Sequence, residues 1–368
     1  MMTEEAARRV FQNPQKIESY IFMRLGKLRE SVWQRSVEKQ LHKNLNRYKA
    51  ASHSDALVLS DEAGRQGLVR AAIEPVQGWR LAAERVIARA VCTAAVSGMT
   101  MEEDPGTYPH LHVSVIMPEN TEETSFKTLI RNLDRLAWEQ KIFLFVDHAA
   151  VSPWVTTLLV HGSLLGTTGP ECREKPGSET GDSTDKEICM IGDMAPEGTS
   201  LIAATKKREL CERYTADYLS AAESLLEEQP LKETRALLWK AGPGISRVLG
   251  EGGLFGGLWE LASDAKAGLR VDLKKIPVRQ HTIELCEYFR LNPYMLHAGG
   301  SILLLCRDGS ALVNQAREAG VKAAVIGRTY AGRDRTISYD GEIRYLEPPH
   351  VDEIYKLFNE KDGGTNAQ

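Results

Sequence analysis

The sequence predicts a mixed protein, α+β or α/β, built as two domains. Two observations carry this reading. Strand-type and helix-type patterns alternate in each half of the chain, and an aperiodic stretch, PECREKPGSETGDSTDKE, divides the halves. At 368 residues the chain also exceeds the ordinary size of one domain. The expected division is a helical extension over 1–24, a first domain over 25–169, a linker over 170–188, a second domain over 189–350 and a tail over 351–368.

In the first half, LRESVWQRSVEKQLHKNL spaces Val32, Val37 and Leu41 at helical intervals. DALVL (55–59) and LVRAAI (68–73) read as strands around a turn. RLAAERVIARAVCTAAVSGM (80–99) predicts a helix, with Leu81, Ala82, Val86, Ala90 and Val91 in one stripe that ends at Gly98. HLHVSVIMP (110–118) predicts a strand and TEETSFKTLIRNLDRLAWEQ (121–140) a helix with a capping box at Thr121 and Thr124. KIFLFVDH (141–148) reads as a buried strand and TTLLVHGSLLG (156–166) as another strand.

The second half repeats the alternation. ICMIGDMA predicts a strand, 199–228 a long helical region, and 231–249 a second helix. HTIELCEYF (281–289) and SILLLCR (301–307) precede a helix over 310–319 and the strand KAAVIGRT (322–329). Asp340-Gly341 within TISYDGEIRYL signals a type I′ hairpin.

Composition excludes several classes. A net charge of −4 gives no basic field for nucleic acid or an anionic membrane. No run approaches the roughly 20 apolar residues of a membrane span, and MMTEEAARRVFQNPQK has no signal-type apolar stretch. The six cysteines stand singly, without CxxC pairs, so reduced thiols and a cytoplasmic location are expected.

The chemically suggestive stretch is LGEGGLFGGLWELA (249–262), where Gly250, Gly252, Gly253, Gly256 and Gly257 lead into a helical pattern. Two readings stand: a glycine-rich helix start that presents free N–H groups to a phosphate, or close packing of a helix on a sheet. His110 and His112 alternate on one strand face without an evident third metal ligand. Cys92, on an alanine-rich helix, reads as a small core residue.

These passages resemble the AIR synthase (PurM-like) superfamily, in its hydrogenase maturation factor HypE-related branch. GDMAPEGTSLIAATKKREL (192–210) is similar to the family's strand-to-helix passage, and LGEGGLFGGLWELA stands where members have a Gly-Gly turn. LRVDLKKIPVRQHTIELCEYFRLNPYMLHAGGSILLLC (269–306) and KAAVIGRT also match, and the likeness runs over roughly 25–350. It implies a ferredoxin-like half-barrel domain that dimerises, followed by an α/β sandwich domain, with ATP and Mg²⁺ held between them. Site residues implied on this chain are Asp55, Glu74 and Asp147 for metal, His148 for catalysis and the five glycines for nucleotide. The chain departs from the pattern at Cys92-Thr93 and Ala150, where members carry acids, and its end, KDGGTNAQ, lacks the acceptor cysteine of the HypE reaction. Two functions follow: ATP-dependent phosphoryl transfer onto an amide or carbonyl oxygen, or a homologue that keeps the fold as a dimeric binding or assembly protein.

Overall fold

The computed structural model describes residues 56–60, 66–99, 108–167, 183–241 and 245–358. Two sheets, each covered by helices, account for the architecture. In chain order the first unit comprises β1 (Ala56–Ser60), β2 (Gln66–Gln77), α1 (Ala82–Val96), β3 (His110–Met117), α2 (Glu123–Glu139), β4 (Phe143–Val151) and β5 (Leu159–Thr167). Its sheet runs β1-β2-β5-β3-β4, antiparallel except for the β3–β4 pair, which α2 connects. The period-2 alternation of β3 sends Leu111, Val113, Val115 and Met117 onto the helices and leaves His110, His112 and Ser114 on the opposite, open face.

The strand over 143–151 departs from expectation. It is an edge strand and most of its residues are exposed, because it pairs with β3 alone and presents Phe145 to the open face. The expected capping box is also absent. The Thr121 hydroxyl donates to the Pro118 carbonyl instead, and Glu122 stands at the N-cap without a side-chain cap.

Helix α1 is buried almost all round, because it lies between the first sheet and the second unit. The second unit contains β6 (Glu187–Ile191), α3 (Pro196–Thr205), α4 (Lys207–Leu210), α5 (Ala216–Glu223), α6 (Leu231–Ala241), β7 (Ser246–Val248), α7 (Gly253–Ala265), β8 (Gly268–Asp272) and α8 (Gln280–Phe289). It continues with β9 (Ile302–Cys306), α9 (Gly309–Glu318), β10 (Ala323–Tyr330), β11 (Arg335–Tyr339) and β12 (Glu342–Tyr345). The region read as one helix over 199–228 is three, and the break before α5 is set where Thr215 caps it by accepting from the Tyr218 N–H. The second expected helix stops at Ala241, ahead of Gly-Pro-Gly, and 246–248 is a strand.

The second sheet runs β12-β11-β8-β10-β6-β9-β7. Ile188, Met190, Leu303 and Leu305 face α3 and α7, while Cys189, Ile191, Ile302 and Leu304 face α6 and α9. Cys92 of α1 joins the latter cluster, so the two units share apolar packing. The β11–β12 turn has Asp340 and Gly341 at φ of 51° and 85°, the left-handed pair a type I′ hairpin requires.

Candidate functional site at the junction of the two sheets

The glycine-rich segment is a tight turn into α7. Gly252 and Gly253 sit at φ of 83° and 61°, which glycine adopts without penalty. A Cβ on Gly253 would lie 2.6 Å from the Leu296 carbonyl oxygen, and one on Gly257 would meet Leu249. These two glycines therefore serve close packing. Gly250 has a different reason to be bare: a Cβ there would lie 2.7 Å from the Glu74 carboxylate.

The amides of this turn hold anions, and the anions belong to the protein. The Gly252 N–H donates to Asp352 Oδ2 at 2.7 Å, and the Glu251 N–H to Glu74 Oε2 at 3.4 Å. Asp352 precedes a short 3₁₀ turn (Glu353–Leu357), whose Ile354 N–H it also accepts. The two carboxylates lie where the positive end of α7 favours negative charge. Glu74 reaches the turn because the register of β2 slips between Ile73 and Val76, at Pro75, freeing its side chain from the sheet's alternation.

Behind the turn lies a buried ionic network. Arg85 and Arg89, one helical turn apart on α1, converge on Glu197 at the start of α3. Arg85 Nε donates to Glu197 Oε1 at 2.7 Å, and Arg89 Nη2 to its two oxygens at 3.2 and 3.1 Å. The Gly299 N–H supplies a further donor at 3.1 Å. Arg89 Nη1 donates to Glu74 Oε2 at 2.6 Å, tying this network to the glycine turn. Glu197 has no solvent exposure. Burial opposes its charge, yet Arg89 and Arg85 outweigh that and hold its carboxyl well below the usual carboxylate range. His297, with Nδ1 2.8 Å from Asp352 Oδ2, is held above the usual imidazole range: burial works against its charge, and Asp352 and Glu197 prevail.

Between β2, α1 and the glycine turn opens a small cleft of about 40 Å³. Glu74, Glu251 and Glu260 line it together with Thr93, Gly250 and Gly257, and Arg89 contributes a basic group. Arg89 Nε is buried and has no acceptor among the described residues.

Of the residues singled out in the sequence, Glu74, Gly250 and Gly257 thus line one cleft. Asp147 and His148 do not join them. They lie on the far edge strand β4, with β5 and β3 between it and β2. Asp147 pairs there with His112 Nδ1 at 3.0 Å. Among the described residues no three His, Cys, Asp or Glu side chains form a metal-holding group. Asp55 lies outside the described residues. Cys92 is a core residue whose thiol burial pushes up to about 12.

Arg85, Arg89, Glu197, His297 and Asp352 went unnoticed in the sequence. One signal was present: Arg85 and Arg89 share the helix face of Ala82 and Val86, and two arginines within an apolar stripe need buried partners.

The comparisons give this two-sheet arrangement with its charged, glycine-rich junction a set of relatives. Residues 194–340 match the family described as AIR synthase related protein, C-terminal domain. The carbamoyl dehydratase HypE of Rhodobacter capsulatus is 34% identical over 116 residues, which are 29% of this chain. That match spans about a third, 34%, of the curated relative's length. Among solved structures, hydrogenase maturation protein HypE in complex with ATP superposes with a TM-score of 0.61 at 17% identity, covering 90% of this chain and 98% of its own. AaThiL complexed with AMPPCP and TMP gives 0.63 at 16% identity, covering 89% and 98%. The chain thus shares the fold of these HypE and ThiL structures over most of its length, and its match to the AIR synthase-related family lies within residues 194–340. No helix among the described residues is long and apolar enough to cross a membrane.

Proposed function

We propose that this protein is an ATP-using enzyme of the AIR synthase and HypE type, which takes nucleotide in the cleft between β2, α1 and the glycine turn. The reaction is transfer of a phosphoryl group from ATP to an amide or carbonyl oxygen, converting that oxygen into a leaving group. The observation that carries the reading is the pairing of that cleft with Arg89, whose buried Nε lacks an acceptor among the described residues. A guanidinium lining a cleft suits a polyphosphate oxygen. HypE with ATP and AaThiL with AMPPCP support the same ligand class by fold. Magnesium would neutralise polyphosphate charge. The carboxylates on the wall, Glu74, Glu251 and Glu260, form no preassembled ligand group, so no step is derived through the metal. We further propose a homodimer formed through the open face of the first sheet, where Phe145 is 44% exposed.

A specific observation favours the second reading, a dimeric assembly protein that no longer turns over ATP. The amides of Gly252 and Glu251 are already taken by Asp352 and Glu74, so phosphate must displace a carboxylate to reach them. Titration calorimetry of the full chain with ATP and magnesium decides. Micromolar, magnesium-dependent binding is expected, and no binding at millimolar nucleotide would leave the assembly reading standing.

A further inference from the structure

Strands β6 and β9 pair antiparallel, with Cys189 opposite Leu304 and Glu187 opposite Cys306. Cys189 and Cys306 are therefore diagonal neighbours on the face toward α6 and α9, and their sulfurs lie 2.9 Å apart. Their surroundings differ. Cys189 is fully buried, whereas Cys306 ends its strand partly exposed, beside the exposed Arg307 and Asp308. The first turn of α9 closes over the pair: a Cβ on Gly309 would lie 2.8 Å from Cys189 Sγ. The positive end of that helix favours a thiolate. The hydrogen bond from the Cys189 thiol holds Cys306 below the usual thiol range, against burial and the charges of Glu187 and Asp308. The same contact, with burial, raises Cys189. The other described cysteines are free thiols outside this pair: Cys92, in the same apolar cluster, and Cys286 are buried, and Cys211 is exposed.

We propose that Cys189 and Cys306 form a peroxide-responsive dithiol, with Cys306 as the attacking sulfur and Cys189 as the resolving one. The Cys306 thiolate attacks one oxygen of hydrogen peroxide. An S–O bond forms, the O–O bond breaks, and the departing hydroxide takes up a proton as water, leaving a sulfenic acid. The Cys189 sulfur then attacks that sulfenic sulfur. The S–S bond forms, the S–O bond breaks, and the thiol proton leaves with the hydroxyl as a second water. Two thiols lose two electrons and peroxide gains them; a dithiol reductant reverses the step. The crosslink joins the two strands whose opposite ends lead to Glu197 and away from Gly299, so it fixes the strand pair that frames the buried network.

The test uses the full chain, reduced and then exposed to hydrogen peroxide, with peptide mapping under non-reducing conditions. The expected result is one crosslinked 189–306 peptide, a mass loss of about 2 Da for the two departed hydrogens, and reversal by dithiothreitol. C189S should accumulate a Cys306 sulfenic acid that dimedone labels. C306S should leave Cys189 unlabelled, and C211S should retain the crosslink. Should a serine variant misfold, timed alkylation of the unmodified chain reads the same order, with Cys306 reacting well ahead of Cys189. Oxidation of Cys306 to the sulfinic acid while Cys189 stays a thiol would overturn the proposal, as would faster alkylation of Cys189.

Discussion

Replacing Glu197 with Gln tests the junction most directly. The substitution keeps volume and one acceptor oxygen but removes the charge. Two guanidinium groups, both nearly excluded from solvent, then face an amide whose NH₂ is a donor where Arg85 Nε and Arg89 Nη2 also donate. Removing one partner from a buried ionic set costs about 3–5 kcal/mol, because the remaining charge is uncompensated. At roughly 1–1.5 °C per kcal/mol for a chain of this length, the melting midpoint should fall by about 5 °C. Differential scanning calorimetry at pH 7 reads this directly. The pH dependence supplies a second check. Glu197 has a folded-state pKa below its unfolded one, so its contribution is complete above the usual glutamate range, near pH 4.5, and is lost as pH falls below it. The gap between parent and variant should therefore narrow on acidification. A midpoint within about 2 °C of the parent at pH 7 would mean the arginines find other partners, and the account of the network fails.

Asp352→Ala removes a charged acceptor from the Gly252 N–H and the charged neighbour of His297, at a cost of about 1.5–3 kcal/mol. Hydrogen exchange should then quicken over 250–254 and 350–357, and ATP should bind more tightly because the turn amide is released. Unchanged exchange would refute a holding role for the Asp352 contact with the turn. Phe145→Asp, on the open face of the first sheet, should convert a dimer to monomer in sedimentation velocity with little change in melting, while an unaltered dimer would locate the interface elsewhere.

Much of this architecture was legible in the chain because its signals are local. The alternation of His110 to Met117, the apolar run Ile302–Leu305 and the Asp340-Gly341 pair each carry their structure in adjacent residues. What escaped detection depends on residues far apart in sequence. KIFLFVDH is apolar enough for a core strand, and only the strand order makes it an edge. The composition of the glycine turn left two readings, an anion-binding helix start or close packing, and the structure uses both. The turn's anions come from Glu74 and Asp352, some 177 and 100 residues from their amide donors, and no pattern within the turn foretells them. Glu197 was likewise visible within GDMAPEGTS, but its meaning rests on two arginines more than 100 residues earlier.

The Arg85–Glu197–Arg89 contact also bears on how this chain can be cut and inherited. Severed from the second sheet, the first would display two guanidinium groups on a largely apolar helix, and the second would expose the face that α1 covers. Neither fragment presents a surface that water would tolerate well. The two halves should therefore melt in a single transition and resist expression as separate pieces. A gene encoding one without the other would need compensating changes at these three positions before its product could persist.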